Sequence, residues 1–324
     1  MKPALFLAGI LLCAIAPWII PNSQVLLTIA LSKGLAVLGV IVLLQAGQVS
    51  FGHALFYAIA AYGTAFLGKY FGGGELFLAM AIGTISAALA GLLVGLFVVR
   101  YRHIFFGMLN LSVSMIFFSI LEKFYFITGG SDGLRVERPS VLGIAMERGP
   151  FEVVLFYVAL VCAVLAMILI HRFLSSPLGN HLRAIKSNEV RLEYLGVSPR
   201  LVLLKGYIVS AALCGLGGSL MAVTLGVVTP EYAWWVRSGE FVFIAILGGS
   251  GSVGGAFVGA LVYEGVRTYA SAFAADVWQL ILGGVLLVVI LFAPKGLIGF
   301  IKQRKASNLR PRSSKSAAGE ALSK

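Results

Sequence analysis

The sequence predicts an all-α fold, a polytopic transmembrane helical bundle of about eight to ten spans with broken or re-entrant segments. Three observations carry that prediction. Apolar residues make up 59% of the 324 positions and charged residues only 12%, against about 45–50% and about 25% in soluble domains. Mean hydropathy is +0.97. The apolar residues also fall into discrete runs, 4–20, 25–44, 54–68, 76–99, 104–121, 151–171, 202–222, 239–262 and 277–293. A hydrocarbon core of ~30 Å takes about 20 residues at ~1.5 Å per residue, so these runs suit whole or partial crossings. A soluble globule needs charge on its outside, which excludes a cytosolic enzyme, a secreted disulfide scaffold and a disordered chain.

Taken in order, the first run follows Lys2 and ends near Ala14-Ile15-Ala16, which imitates a signal peptide with its cleavage site. Further spans follow at once and Pro17 stands directly after the would-be cut, so 4–20 reads as a retained first span. Runs two and three are separated by Gln45-Ala-Gly-Gln-Val-Ser-Phe-Gly-His53. Gly91 and Gly95 in the fourth run are small residues one turn apart, a close-packing signal for helix pairs. Arg100 and Arg102 mark an inner turn. Segment 122–149 balances Lys123, Arg135, Arg138 and Arg148 against Glu122, Asp132, Glu137 and Glu147, as an outer loop should.

The chain carries 25 basic and 13 acidic residues, a net charge of +12. In a soluble protein this excess would suggest nucleic acid. No zinc-finger spacing or basic helix with interleaved aromatics supports that, so the excess is read as the positive-inside signature of cytoplasmic loops. Between 175 and 205 lie Arg183, Lys186, Arg191, Arg200 and Lys205 against Glu189 and Glu193. From 295 onward Lys295, Lys302, Arg304, Lys305, Arg310, Arg312, Lys315 and Lys324 face Glu320 alone. Both regions are expected in the cytoplasm, with residues 1–300 as the membrane domain and 301–324 as a basic, disordered cytoplasmic tail.

Parity then constrains the last third. Two inside ends, at 175–205 and at the tail, enclose three apolar runs, yet an even number of crossings must join them. One run must enter and leave on the same side, or be split. Run 239–262 contains Leu247-Gly-Gly-Ser-Gly-Ser-Val-Gly-Gly255, which is too glycine-rich for a helix interior. Irregular backbone at membrane depth is tolerated only inside protein or along a wet cavity, so a re-entrant or broken segment beside a pathway is expected there. This topology places Glu264, Arg267 and Asp276 outside. A shift of 202 residues lays Gly47, Ser50, Gly52, Ala54 and Ala58 on Gly249, Ser252, Gly254, Ala256 and Ala260, a faint repeat in a chain rich in Gly and Ala. Interrupted spans at matching positions in two halves point to a transporter's central site.

Few residues suggest chemistry. Gly63 to Lys69 imitates a phosphate-binding loop, but Tyr70 stands where Ser or Thr must hold magnesium and the run is apolar; no ATP site is expected in this chain. No carboxylate pair is seen within a span, which disfavours a proton-coupled carrier. No catalytic or metal-ligating constellation emerges, and Cys13, Cys162 and Cys214, each inside an apolar run, read as inert core thiols. Gln45, Gln48, Ser50 and His53 form a polar cluster at apolar depth. Either they satisfy backbone groups freed by the break or they line a substrate path together with Gly249, Ser250 and Ser252. Segment 175–200 is too polar to cross the membrane. Ala184, Ile185, Asn188, Leu192 and Leu195 recur at helical spacing, Gly196 suits a C-terminal cap and Pro199 bars continuation. A short amphipathic helix is expected, lying flat on the membrane or docked in a partner's groove.

Six segments in order now resemble one family. They are Leu44 to Ala54; Thr128-Gly-Gly-Ser-Asp-Gly-Leu134; Ser176-Pro-Leu-Gly with Arg183-Ala-Ile-Lys-Ser-Asn-Glu189 and Leu195-Gly-Val197; Ser210-Ala-Ala; Leu247 to Gly255; and Phe292-Ala-Pro-Lys-Gly-Leu297. Over about residues 35–300 the chain resembles the inner-membrane permease subunits of ABC importers for branched-chain amino acids, of the LivM-like type. His103-Ile-Phe departs from the family's usual Gly-x-Tyr-Phe, and Ala256 stands where many relatives have Pro.

The resemblance implies a multi-pass protein of the bacterial inner membrane that is not itself an enzyme. Its implied partners are a second homologous (LivH-like) permease, two cytoplasmic ATP-binding subunits that hold ATP-Mg, a periplasmic substrate-binding protein and membrane lipid. Arg183, Lys186, Asn188, Glu189, Leu195 and Gly196 would belong to the loop that couples to the ATPases. The implied cargo is leucine, isoleucine and valine, moved by ATP-driven alternating access. The alternatives are the same kind of permease for urea, amides or another small organic solute, and an ATP-independent channel or facilitator, against which the docking helix argues.

Overall fold

The computed structural model describes residues 13–15, 17, 23–71, 74–273, 277–293 and 296–299. Most of the expected first span, and all of the expected tail at 301–324, lie outside the described residues.

The architecture is a helical bundle. Its elements are α1 (Ser23–Gln45), α2 (His53–Phe71), α3 (Leu76–Val98), α4 (His103–Lys123), α5 (Arg148–Ser175), α6 (Pro177–Ser187), α7 (Glu189–Tyr194), α8 (Pro199–Leu225), α9 (Trp235–Gly248), α10 (Val253–Phe273) and α11 (Trp278–Phe292). A two-residue antiparallel ladder pairs β1 (Leu134–Arg135) with β2 (Val227–Val228). Among the described residues five helices, α1, α3, α4, α5 and α8, are long and apolar enough to cross a membrane, and the α9–α10 pair, bent by 112°, makes a sixth unit. That is fewer than the eight to ten spans expected. The difference arises partly because α2 and α11 are not among these long apolar helices, and partly because the expected first span lies mostly outside the described residues.

Alpha-helical order follows from long apolar runs, with many of their glycines at helix contacts. Helix α1 is the hub: 83% of its most apolar stretch is buried, against 28% for α3 and for α4. It packs on α8, α10, α5 and α9, while α2 fills the space between α8 and α3. The outer helices turn Ile85, Leu89 and Leu93 of α3 and Ile104, Met108 and Ile116 of α4 outward, as lipid-facing surfaces do.

Close approach at α3–α8 depends on missing side chains. A Cβ on Gly91 would strike Ala211, and one on Gly95 would come within 2.7 Å of Leu204. The small-residue signal in that run is thus an interface, as expected.

Two ends can be told apart. At the basic end, Arg102 pairs with Glu189 at 2.6 Å, the His103 amide donates to Gln48 Oε1 at 2.8 Å, and Gly47 lies against Lys186. At the opposite end Glu75 bridges to Ser140 and the β1–β2 ladder ties 134–135 to 227–228.

Helix α9 descends toward the basic end and α10 turns back, so the run is interrupted, as expected of a re-entrant or broken segment. A Cβ on Gly248 would run into the Gly255 carbonyl, and one on Gly259 would meet the Ile244 carbonyl at 2.5 Å; the sharp bend is possible because these positions carry none.

One expectation needs correction. Glu264 does not lie outside. It is 5% exposed within the bundle.

Candidate functional site

The two interrupted segments meet, but at the basic end and not at mid-depth. Helices stop at Gln45 and Gly248 and resume at His53 and Val253. Gly47 and Gly249, paired by the 202-residue shift, both adopt positive φ, 72° and 102°, a backbone region that glycine enters without steric penalty. The Gln45 side-chain amide donates to the Ser250 carbonyl at 3.0 Å. A cavity of about 430 Å³ opens beside this contact, lined by Gln45, Ser252, His171, Arg172 and Arg183 among others. A larger cavity of about 680 Å³ lies at the opposite end, with Arg135, Glu137, Arg138 and Glu152 in its wall, and touches none of the expected path residues.

The structure therefore brings Gln45, Gly249, Ser250 and Ser252 together and sets Gln48, Ser50 and His53 apart from them. Gln48 receives the His103 amide, and the Ser50 hydroxyl receives the Gly52 amide at 3.3 Å. His53 is fully buried. Its Nε2 lies 2.6 Å from the Ser210 hydroxyl, which itself donates to the Gly39 carbonyl at 2.6 Å. Ser210 has thereby spent its proton, so His53 Nε2 carries one and donates. These three side chains satisfy groups around the break and join α2 to α1, α4 and α8, the bland alternative in the sequence argument.

His103 has φ of 53°. A residue with a Cβ is strained in such a backbone, whereas glycine would fit it.

The basic connector between α5 and α8 forms two helices and not one. Asn188 divides them: its side-chain oxygen accepts the Arg191 amide at 3.0 Å, an N-cap that starts α7. Gly196 closes α7 with φ of 78° and donates to the Glu193 carbonyl at 2.8 Å, the C-terminal role expected of it. Leu182, Ile185 and Leu192 are buried against the bundle, whereas Val190, Tyr194 and Leu195 are exposed, at 58%, 88% and 73%. Glu189 is engaged by Arg102 through two hydrogen bonds, 2.8 and 2.6 Å. Arg183 bonds to Asn180 at 3.0 Å, and Lys186 covers Gly47.

A second polar centre escaped the sequence reading. Lys33, near the middle of α1, is fully buried and contacts both Glu240 of α9, at 3.4 Å, and Glu264 of α10. The Tyr263 hydroxyl donates to Glu240 Oε1 at 2.9 Å. Arg237 and Arg267 each stand 3.9 Å from a carboxylate oxygen, of Glu240 and Glu264. The expectation concerned carboxylate pairs within one span; these two carboxylates come from different helices and converge on one ammonium from both arms of the hairpin. The available signal was the lone lysine in the middle of an apolar run, because such a charge requires a counter-charge.

Comparison with known proteins places this geometry. The family described as branched-chain amino acid transport system / permease component matches residues 24–291. The high-affinity branched-chain amino acid transport system permease protein LivM of Escherichia coli is 31% identical over 92% of this chain and 75% of its own length, and LivM of Salmonella typhimurium is 30% identical over the same shares. LivH of Escherichia coli matches 42% of this chain and 44% of its own length at 27% identity. No solved structure matches. A match over most of the residues that build the bundle, the re-entrant hairpin and the basic connector establishes that this multi-pass membrane chain belongs to the branched-chain amino acid transport permease family.

Proposed function

We propose that the chain is one permease subunit of an ATP-driven importer for leucine, isoleucine and valine in the bacterial inner membrane. The similarity to LivM over 92% of the chain carries this reading. A LivH-like protein is the second permease, two cytoplasmic ATPases carrying ATP-Mg supply the energy, and a periplasmic binding protein delivers substrate. The exposed Val190, Tyr194 and Leu195 on the basic connector support docking of an ATPase there, since apolar side chains presented on a short ordered helix suit a partner's groove. Closure of the ATPases would push this connector, and through its Arg102–Glu189 pair and the Gly47–Lys186 contact the push would reach the first break, and through the Gln45–Ser250 hydrogen bond the second. Access would alternate because ATP and substrate bind the two states unequally.

Co-reconstitution of the chain with a LivH-like permease, the two ATPases and the binding protein tests the proposal. Uptake of the three amino acids is expected only with ATP on the ATPase side. Equal uptake without ATP, or uptake of an amide or urea in place of them, overturns it. For orientation, a cysteine at position 140 should react with an impermeant reagent from the periplasmic side; labelling only from the cytoplasm overturns the assigned sidedness.

A further inference from the structure

The cluster around Lys33 contains more positive charge than its own pairing requires. Three cations, Lys33, Arg237 and Arg267, share two carboxylates, Glu240 and Glu264. Lys33 and Arg267 both reach Glu264. Glu240 turns one oxygen to Tyr263 and shares the other between Lys33 and Arg237. Arg237 is left with that shared contact at 3.9 Å and with the Tyr232 ring at 5.2 Å.

Exposure divides the cluster. The Lys33 and Glu264 side chains are 0% and 6% accessible, while Glu240 and Arg237 reach 14% and 17%. Glu240 belongs to a stripe along α9 with Val236, Phe243 and Ile246, which are 47%, 48% and 40% exposed, and Arg237 flanks it. The spacing of these residues makes one helix face, and it ends near the exposed Ser250 beside Gln45. Lipid solvates neither a carboxylate nor a guanidinium at the depth of Lys33, so this face borders water or protein.

We propose that Arg237 and Glu240 bind the charged ends of a zwitterionic amino acid at mid-membrane depth, Arg237 taking the carboxylate and Glu240 the ammonium. A guanidinium offers a carboxylate two parallel donors, and the loose Arg237–Glu240 contact gives way to two closer ones. Phe243 and Ile246, about one and two turns further along the same face, receive the branched side chain. Lys33 holds the site by joining Glu240 and Glu264 from behind. The inference rests on the proposed amino-acid substrate.

The test uses the intact importer with Cys13, Cys162 and Cys214 replaced by serine or alanine and Phe243→Cys introduced. A water-soluble thiol reagent is expected to label position 243, and millimolar leucine to slow labelling at least threefold. Leucinamide, which lacks the carboxylate, and 4-methylpentanoate, which lacks the ammonium, should not. In Arg237→Gln, leucine should protect no better than leucinamide, and in Glu240→Gln no better than 4-methylpentanoate. Leucine uptake should fall at least tenfold in both, with partial recovery in Arg237→Lys. Labelling only by a lipid-soluble reagent, or unchanged protection and uptake in both variants, overturns the inference. If the unsubstituted importer moves no branched-chain amino acid, the proposed function fails instead, and labelling at 243 still decides whether this face meets water.

Discussion

The two breaks share a backbone pattern and differ in how they are held. Residues 46–52 are fixed by side chains: Gln48, Ser50 and His53 are buried at 2%, 0% and 0% exposure and each has a bonded partner. The tip at 249–252 is fixed by the lack of side chains, with Gly248, Gly255 and Gly259 in backbone contact and Ser250 exposed. A helix interruption can thus be anchored by polar satisfaction or by close packing. The hairpin, whose tip is held by close packing and the Gln45–Ser250 hydrogen bond, carries its ionic anchor higher up, at Lys33.

Substitutions can break that contrast, and the largest effect is expected at the anchor. Lys33→Met strands two carboxylates, and losing one partner of a buried ion pair costs about 3–5 kcal/mol; a lower melting temperature in detergent is the readout, with partial recovery when Glu264→Gln is added. Gly248→Leu should destabilise the tip by about 3 kcal/mol, the upper range of overpacking, whereas Gly251→Ala, which meets nothing within 4 Å, should stay within about 0.5 kcal/mol of the parent. Equal melting points for these two glycine variants would refute the packing account. Ser210→Ala should cost about 1–3 kcal/mol by leaving His53 Nε2 without an acceptor, with substrate preference in uptake unchanged. Glu189→Lys should cost about 1 kcal/mol or less, since the pair is partly solvated, with the Arg102 and Glu189 side chains 16% and 30% exposed. Exchange of both charges, Arg102→Glu with Glu189→Lys, should restore stability.

Much of this was legible in the sequence. Loop charges and parity located the re-entrant segment, because membrane topology is set by local composition. Gly196 was recognisable from its place after an amphipathic run, and the apolar runs gave the helices. The Lys33 cluster was not, because Lys33, Glu240 and Glu264 lie in three different runs and only packing brings them together. Glu240 and Glu264 also sit near the two ends of run 239–262, where charge ordinarily marks the exit to water. Depth was misjudged for the same reason: polarity at Gln45–His53 does not tell whether a break lies mid-membrane or at its edge. Asn188 fits one position on a helical face, but Asn is also an N-cap residue, and spacing alone does not separate the two roles.

The ion pair that anchors the hairpin also sets a waiting time during synthesis. Lys33 and Glu240 are separated by 207 residues, and at about 5–20 residues per second roughly 10–40 s pass between the emergence of one and the other. For that interval α1 contains an ammonium with no carboxylate to meet it. A newly made α1 therefore has to linger at the insertion machinery, shift along the bilayer normal so that Lys33 reaches the headgroups, or borrow a counter-charge. The final bundle locks only when the last third of the polypeptide arrives, which makes truncated chains ending before Glu240 natural substrates for membrane quality control.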